Sequence, residues 1–317
     1  MAKKRKKRQW EQRQHHQGAS PSPTAYKAVV TKGRHLAETW EGNRKRLNES
    51  QRLILDYYSR PEIQQAMFAY ARGRKISVLQ VFRPLYDQIE SPADILYIAL
   101  YHAERQGMWP SFHGMISRYN EESKRHVCDF VVEVDYKKSM SACFQATLPY
   151  IEVLRDFGIY ARVKFGGNAS AHVILPGETI PCDSGNAREH LMNYAQQVVK
   201  HSEKLDRSFT NSSHFLRLAY SMHERTGLVS IPVEMEKFEK FSWRKAEARW
   251  VRVLNDWWVP PPDDAEDRVR EFLQFALRSY RRSLPPSEQN PSPRSPIHLR
   301  KHWTVLSLRR QSDVSED

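Results

Sequence analysis

The chain has 317 residues, 40% of them hydrophobic, enough to bury a sizeable core as one large domain or two small ones with tails. Lys and Arg number 50 against 37 Asp and Glu, a formal charge of +13, which points to a polyanionic partner because cationic side chains displace counterions from phosphates. The longest apolar runs, such as ADILYIALY, are too short to cross a bilayer, and the three separated cysteines Cys128, Cys143 and Cys182 exclude a disulfide framework and a CxxC zinc pair. The expectation is a soluble intracellular protein with reduced thiols and no membrane partner: cytoplasmic, and nucleoid-associated in a bacterium.

Residues 1–34 open with KKRKKR and continue rich in Gln, His, Ser and Pro, a composition that predicts a basic disordered tail, either a nuclear address, a DNA-tethering arm or simply a solvated terminus. Residues 35–125 read as mainly helical. Within them SRPEIQQAMFAYARGR has a capping box, Ser59 with Glu62, Pro61 in the first turn, and Ile63, Met67, Phe68 and Ala71 on one face; a second helix is expected over 91–106. The pattern changes near residue 126. HVCDFVVEVDY predicts a strand, SACFQATLPYIEVLRDFG a helix stopped by Gly158, and IYARVKF and SAHVILP two further strands. The fold class expected is therefore α+β, with a catalytic α+β part over 126–240 built on half of a ferredoxin-like or RRM-like sheet and flanked by N- and C-terminal helices. Residues 241–284 read as a C-terminal helical region. In it Trp243, Trp250 and Trp257 recur every seven residues among Arg244, Arg249 and Arg252, as a base-stacking stripe or as core. After VPPPDD a helix is expected to pack on Val269, Phe272, Leu273 and Ala276, and residues 285–317 form a Pro- and Ser-rich tail.

Three stretches bear on chemistry. In FVVEVDYKK, Glu133 and Asp135 stand two apart on a strand, so both carboxylates leave one face about 7 Å apart while Val132 and Val134 enter the core. Such a pair is either an ordinary half-exposed acidic face or a ligand pair for a hard divalent cation, which relieves the repulsion between the acids. KFGGNASAHVILP places a Gly-rich turn between two strands and delivers Ser170 and His172 at the start of the second, compatible with phosphate approach or with a plain hairpin. KLDRSFTNSSHFLRLAYSMHERTGLVSIPVE contains Asp206, Arg217 and His223, compatible with a metal ligand beside a triphosphate clamp or with a salt-bridge network.

Taken in this order, the strand with two acids, the helix ending LRDFGI, KFGGNASAHVILP and LDRSFTNSSHFLRLAYSMHERTGLVSIPV resemble the archaeo-eukaryotic primase superfamily over residues 40–240. That family includes primase small subunits, primase-polymerases and the polymerase domain of bacterial end-joining ligases. The resemblance implies that Glu133, Asp135 and Asp206 hold two divalent ions, Mg2+ or Mn2+. It further implies that Ser170, His172, Arg217 and His223 lie at the incoming nucleotide, with Lys164 as a helper. Two features depart from the pattern: Glu133 stands where many members have Asp, and GGNASA replaces a loop in which several primases place arginines. No Cys and His cluster matches the zinc-stem insertion of some primases.

The function expected from the resemblance is template-dependent nucleotidyl transfer by a DNA primase or primase-polymerase, with nucleoside triphosphates and a single-stranded or primed nucleic-acid template as partners. A gap-filling or end-joining repair polymerase of the same superfamily, a noncatalytic nucleic-acid-binding relative, and a template-independent nucleotide-modifying enzyme are the alternatives. The sequence has no GxxxxGK[ST] stretch and no ligase motif, so unwinding or sealing would fall to a helicase, a ligase or another replication or repair partner.

Overall fold

The first described element is a helix, α1 (Pro23–Gly42), in a computed structural model that describes residues 23–78, 85–135, 139–183, 186–254, 257 and 260–283. Part of the expected N-terminal tail is therefore packed structure: Tyr26 donates a hydrogen bond to Asp94 (2.8 Å), and Trp40 is buried. Gly33 explains the close fit, since a Cβ there would overlap the Tyr97 carbonyl of α4 (Asp94–Gln106). The KKRKKR run and the Pro- and Ser-rich segment over 285–317 lie outside the described residues.

Between α1 and α4 run α2 (Glu49–Tyr58) and α3 (Pro61–Ala71). The capping box expected at Ser59 and Glu62 does not form, because Ser59 is already engaged as the C-cap of α2, its N–H bonded to the Leu55 carbonyl at 3.0 Å. The box that does form is Asn48 with Gln51, at the start of α2 (2.8 and 3.1 Å). Pro61 at the first turn starts α3 without a side-chain cap.

The segment expected to be mainly helical also supplies most of a sheet. Strands β1 (Arg74–Val78), β2 (Phe112–Asn120) and β3 (Arg125–Cys128) pair antiparallel in that order, and β7 (Phe215–Arg217) returns from far along the chain to pair with β2. Neither RKISV nor FHGMISRYN alternates cleanly enough to announce a strand; their cross-strand partners decide it.

The second sheet follows the expected order. Strand β4 (Phe130–Asp135), helix α5 (Met140–Asp156), β5 (Arg162–Phe165) and β6 (Ser170–Leu175) give the spatial order β4-β6-β5-β8, with β8 at Pro232–Val233. After α6 (Ala187–Val198) the chain comes back along the free side of β4 through the single antiparallel bridge Val134↔Leu205. The order of the RRM-like split βαβ sheet is thus present, its last strand reduced to one bridge. The fold is α+β, with helices α5 and α6 against this sheet and α7 (Ala265–Ser283) closing over them as Phe272 packs on Tyr194 and Phe157 (ring centres 5.3 and 5.2 Å). Val269, Phe272, Leu273 and Ala276 are all buried, as their spacing predicts.

The tryptophan stripe does not exist as a helical face. Trp243–Ala246 and Ala248–Trp250 are short 3-10 turns, and Trp243 and Trp250 are 46% and 64% exposed whereas Trp257 is 7% exposed. Among the described residues no helix is long and apolar enough to cross a membrane, and the three cysteines are free.

One buried ion pair ties the two sheets together. Arg74 on β1 reaches Asp129, between β3 and β4, at 2.7 Å, with both side chains almost fully buried. The rest of the guanidinium is satisfied by the carbonyls of Tyr70, Met115 and Ile116, and the second Asp129 oxygen accepts from the Gly177 N–H (2.9 Å). Removing one partner strands the other charge in the core, so Asp129→Ala is expected to cost about 3–5 kcal/mol in urea unfolding. A loss within the range of a surface substitution would show that the pair does not join the sheets.

Candidate active site

A single row across the second sheet organises the site. Glu133 on β4 pairs with His172 on β6, and His172 pairs with Lys164 on β5. On the other side of β4 the Asp206 N–H donates to the Glu133 carbonyl (3.0 Å), next to the Val134↔Leu205 bridge, which sets Asp206 opposite Glu133. Residues opposite one another across an antiparallel pair share a face. The next row holds Asp135 opposite Ser170. The register therefore brings Glu133, Asp135, Asp206, Ser170, His172 and Lys164 to one face.

Exposure grades along that face. Glu133, Asp135 and Asp206 are half-buried, whereas His172 is 4% and Lys164 0% exposed. His172 Nε2 lies 3.1 Å from the Glu133 carboxylate and 3.0 Å from Ser170 Oγ. Burial alone would raise the Glu133 pKa, but His172, Lys164 and Ser170 together hold it well below the usual carboxylate range, so Glu133 is an anion at neutral pH. Burial and the neighbouring Lys164 push the His172 imidazole below its ordinary value. Nε2 is the ring nitrogen that faces Glu133 and Ser170, and the buried Nδ1 has no hydrogen-bond partner among the described residues. Lys164 is pushed far down by burial and by Arg217, opposed by Glu133; its Nζ donates to Ser230 Oγ at 3.1 Å.

The first sheet adds the other basic groups. Arg217 on β7 pairs with His113 on β2, and its Nε donates to the Gly166 carbonyl (3.0 Å), which anchors the Gly-rich turn between β5 and β6. Arg217 is not a free clamp: it forms an ion pair with buried Glu224 at 3.0 Å and bonds Ser111. His223 packs against Gly167, whose φ of 94° only glycine adopts readily and where a Cβ would come within 2.9 Å of His223 Cβ. Thr226 Oγ1 locks the same contact by donating to the Gly167 carbonyl (2.7 Å). A Cβ on Gly166 would in turn overlap Ser170 Oγ and His172, so the two glycines let both basic clusters close on the turn. Upstream of His223, buried Tyr220 is held at φ 66° by hydrogen bonds from Tyr57 and to the Ser230 carbonyl.

All eight residues expected at the site thus gather around the β5–β6 turn and the outer edge of β4. The ends of the carboxylates do not converge as a metal centre does. Asp206 accepts from the Ser208 N–H (2.8 Å), Glu133 is turned toward His172, and among the described residues no group of three or more His, Cys, Asp or Glu side chains is arranged to hold a metal ion. The donor chemistry and the shared face suit a hard divalent cation; the side-chain ends would have to leave these partners to bind one. Three residues here escaped the sequence reading. His113 has no motif around it, Glu224 lies beside His223 in the quoted stretch but is not singled out by it, and His214, whose pKa is lowered by burial against the pull of Asp206 and Glu133, reaches the site only because β7 returns to β2.

The buried histidines set a pH dependence. Burial lowers His102 and His223 to about 4 and takes His113 well below its ordinary value, helped at His113 and His223 by Arg217. Unfolded histidines bind protons near pH ~6.5. From there down to about 4 the unfolded chain carries more protons, so stability falls as pH falls. The urea midpoint is expected to drop between neutral and mildly acidic pH, less steeply in His113→Gln. A flat profile would mean that these rings are not buried in neutral form.

No family model matches the chain, and no curated protein matches it. Among solved structures, the chain is similar to the polymerase domain of Ligase D from Mycobacterium tuberculosis in complex with DNA, at 15% identity and a TM-score of 0.46, over 63% of this chain and 88% of that one.

Proposed function

We propose that the chain is a nucleotidyltransferase of the primase-polymerase type, joining nucleoside triphosphates into a strand on a nucleic-acid template. The observation that carries this reading is the row Asp206, Glu133, His172, Lys164, which runs from acids at the solvent rim to bases in the interior. The order of the sequence motifs that resemble the primase superfamily supports it.

Lys164, His113 and His223 are crowded against Arg217 out of water, so burial and the Arg217 charge push each of the three toward its neutral form. A triphosphate entering beside them restores the charged forms, and groups arranged before the ligand arrives need no reorganisation when charge develops on it. The Gly-rich turn lets backbone approach phosphate closely, with Arg217 holding the turn through Gly166 and His223 lining its other side. Glu133, Asp135 and Asp206 would hold the divalent ions, Mg2+ or Mn2+. When bound, such ions supply positive charge that lowers the pKa of a 3'-hydroxyl and stabilises departing pyrophosphate.

A second reading, a nucleic-acid-binding protein without catalysis, is favoured by the engagement of Asp206 with Ser208 and of Arg217 with Glu224. Incorporation of labelled nucleotide, with Mg2+ or Mn2+ and on primed and unprimed single-stranded templates, separates the two. Asp135→Asn and Asp206→Asn are each expected to lower the rate by about a hundredfold or more while the unfolding transition stays in place. Incorporation on the unprimed template assigns priming, and on the primed template alone gap filling. If both variants match the wild type, or if the wild type is inert under every condition, the catalytic reading fails.

A further inference from the structure

The loop that carries His223 has an outer side as well as an inner one. Thr226, Gly227 and Leu228 form one wall of a groove of about 460 Å3, with Trp109 and Leu53 on its other walls and Arg249 at its lip. The Trp109 ring lies flush on Gly227, where a Cβ would come within 2.9 Å of the indole and where φ is 69°. Next to the lip, Trp250 is 64% exposed, with the Arg249 guanidinium 5.9 Å from its ring centre, and Trp243 is 46% exposed in the adjoining turn.

The charges divide by position. The groove itself is lined by Glu49, Asp56 and Glu247 and by Arg52 and Arg249, with Asp56 paired to Arg44 and Glu247 to Arg249 (2.8 Å). Beyond the Glu247–Arg249 pair the turn is basic, with Arg244, Lys245 and Arg252 and no further acid over residues 243–252. Arg244, Lys245 and Arg252 are exposed, and none has an ion-pair partner among the described residues. Leu53, Leu228 and the Trp109 ring offer apolar faces to a flat base, and an unpaired basic rim with exposed indoles suits a phosphate backbone whose bases are free to stack. Duplex DNA offers the phosphates but not the base faces.

We infer that the Trp243–Arg252 turn and the groove behind Thr226 and Gly227 form a binding surface for single-stranded nucleic acid, with Trp250 as its principal stacking platform. The inference deepens the nucleotidyl-transfer reading by giving the template a track that ends, through the Thr226–Gly167 hydrogen bond, at the turn beside His172 and His223.

The test is binding of a fluorescently labelled oligothymidylate to the full chain, followed by anisotropy and by quenching of tryptophan emission over a range of salt concentrations. Trp250→Ala, at an exposed position, is expected to weaken binding about tenfold without altering the salt slope. The double change Arg244→Glu with Lys245→Glu is expected to flatten that slope. A blunt duplex of equal length should show no dependence on Trp250. The inference is overturned if Trp250→Ala binds like the wild type, if the double change leaves the salt slope unaltered, or if the indole matters equally for duplex. Its failure is separable from that of the catalytic reading. A protein that incorporates no nucleotide yet loses oligonucleotide with Trp250→Ala keeps the surface and loses the enzyme, and incorporation with unchanged Trp250→Ala binding does the reverse.

Discussion

The antiparallel register at Glu133 is the constraint on which the rest of the site depends. A pleated strand can present an acid to one face by its own alternation, but it cannot choose what stands opposite. Here β6 sets His172 against Glu133 and Ser170 against Asp135, and the returning chain sets Asp206 on the far side. A slip of one residue in either pairing would send Asp206 or His172 to the opposite face among Val132 and Val134. The buried pair Arg74–Asp129 protects this register from outside, because Asp129 immediately precedes β4 and its second oxygen grips Gly177, just beyond the end of β6.

Around that register the protein carries an unusual load of buried basic groups. Each of Lys164, His172, Arg217 and His223 loses hydration on folding, and the Arg217 charge repels the other three. Glu133 and Glu224 offset part of the cost. Such an arrangement destabilises the fold relative to an apolar core, which is the general relation between a preorganised polar site and the scaffold around it. Glu224 has a double effect: it keeps Arg217 charged in the interior and at the same time commits it to a protein partner, leaving the Gly166 carbonyl as the route by which Arg217 shapes the turn.

The loop from Tyr220 to Leu228 joins the two surfaces. Its inner side presents His223 to Gly167, and its outer side lines the groove with Thr226 and Gly227. Tyr220, at positive φ, directs the chain into this loop, and Tyr57, Tyr58 and Ser230 hold it there through hydrogen bonds to residues 220 and 222. The two surfaces are thus joined through a few buried contacts.

What the amino-acid sequence determined by itself was local. The period-two placement of Glu133 and Asp135, the strand, helix, strand, turn, strand order after residue 126, the glycines at 166 and 167 and the apolar face of α7 are all written in short-range patterns, and the α+β class follows from them. Patterns of the same short range misread Ser59, because a cap residue cannot be told from the C-cap of the preceding helix without seeing where that helix ends. They also misread the seven-residue spacing of Trp243, Trp250 and Trp257, which fits a helical face until the chain is shown to break into 3-10 turns. The tertiary structure alone decided that residues 23–34 pack as helix against α4, that His113 and His214 join the site through the β2–β7 pairing, and that Glu224 neutralises Arg217. Each of these rests on contact between residues far apart in the chain, where the energy comes from burial and pairing that no local propensity encodes.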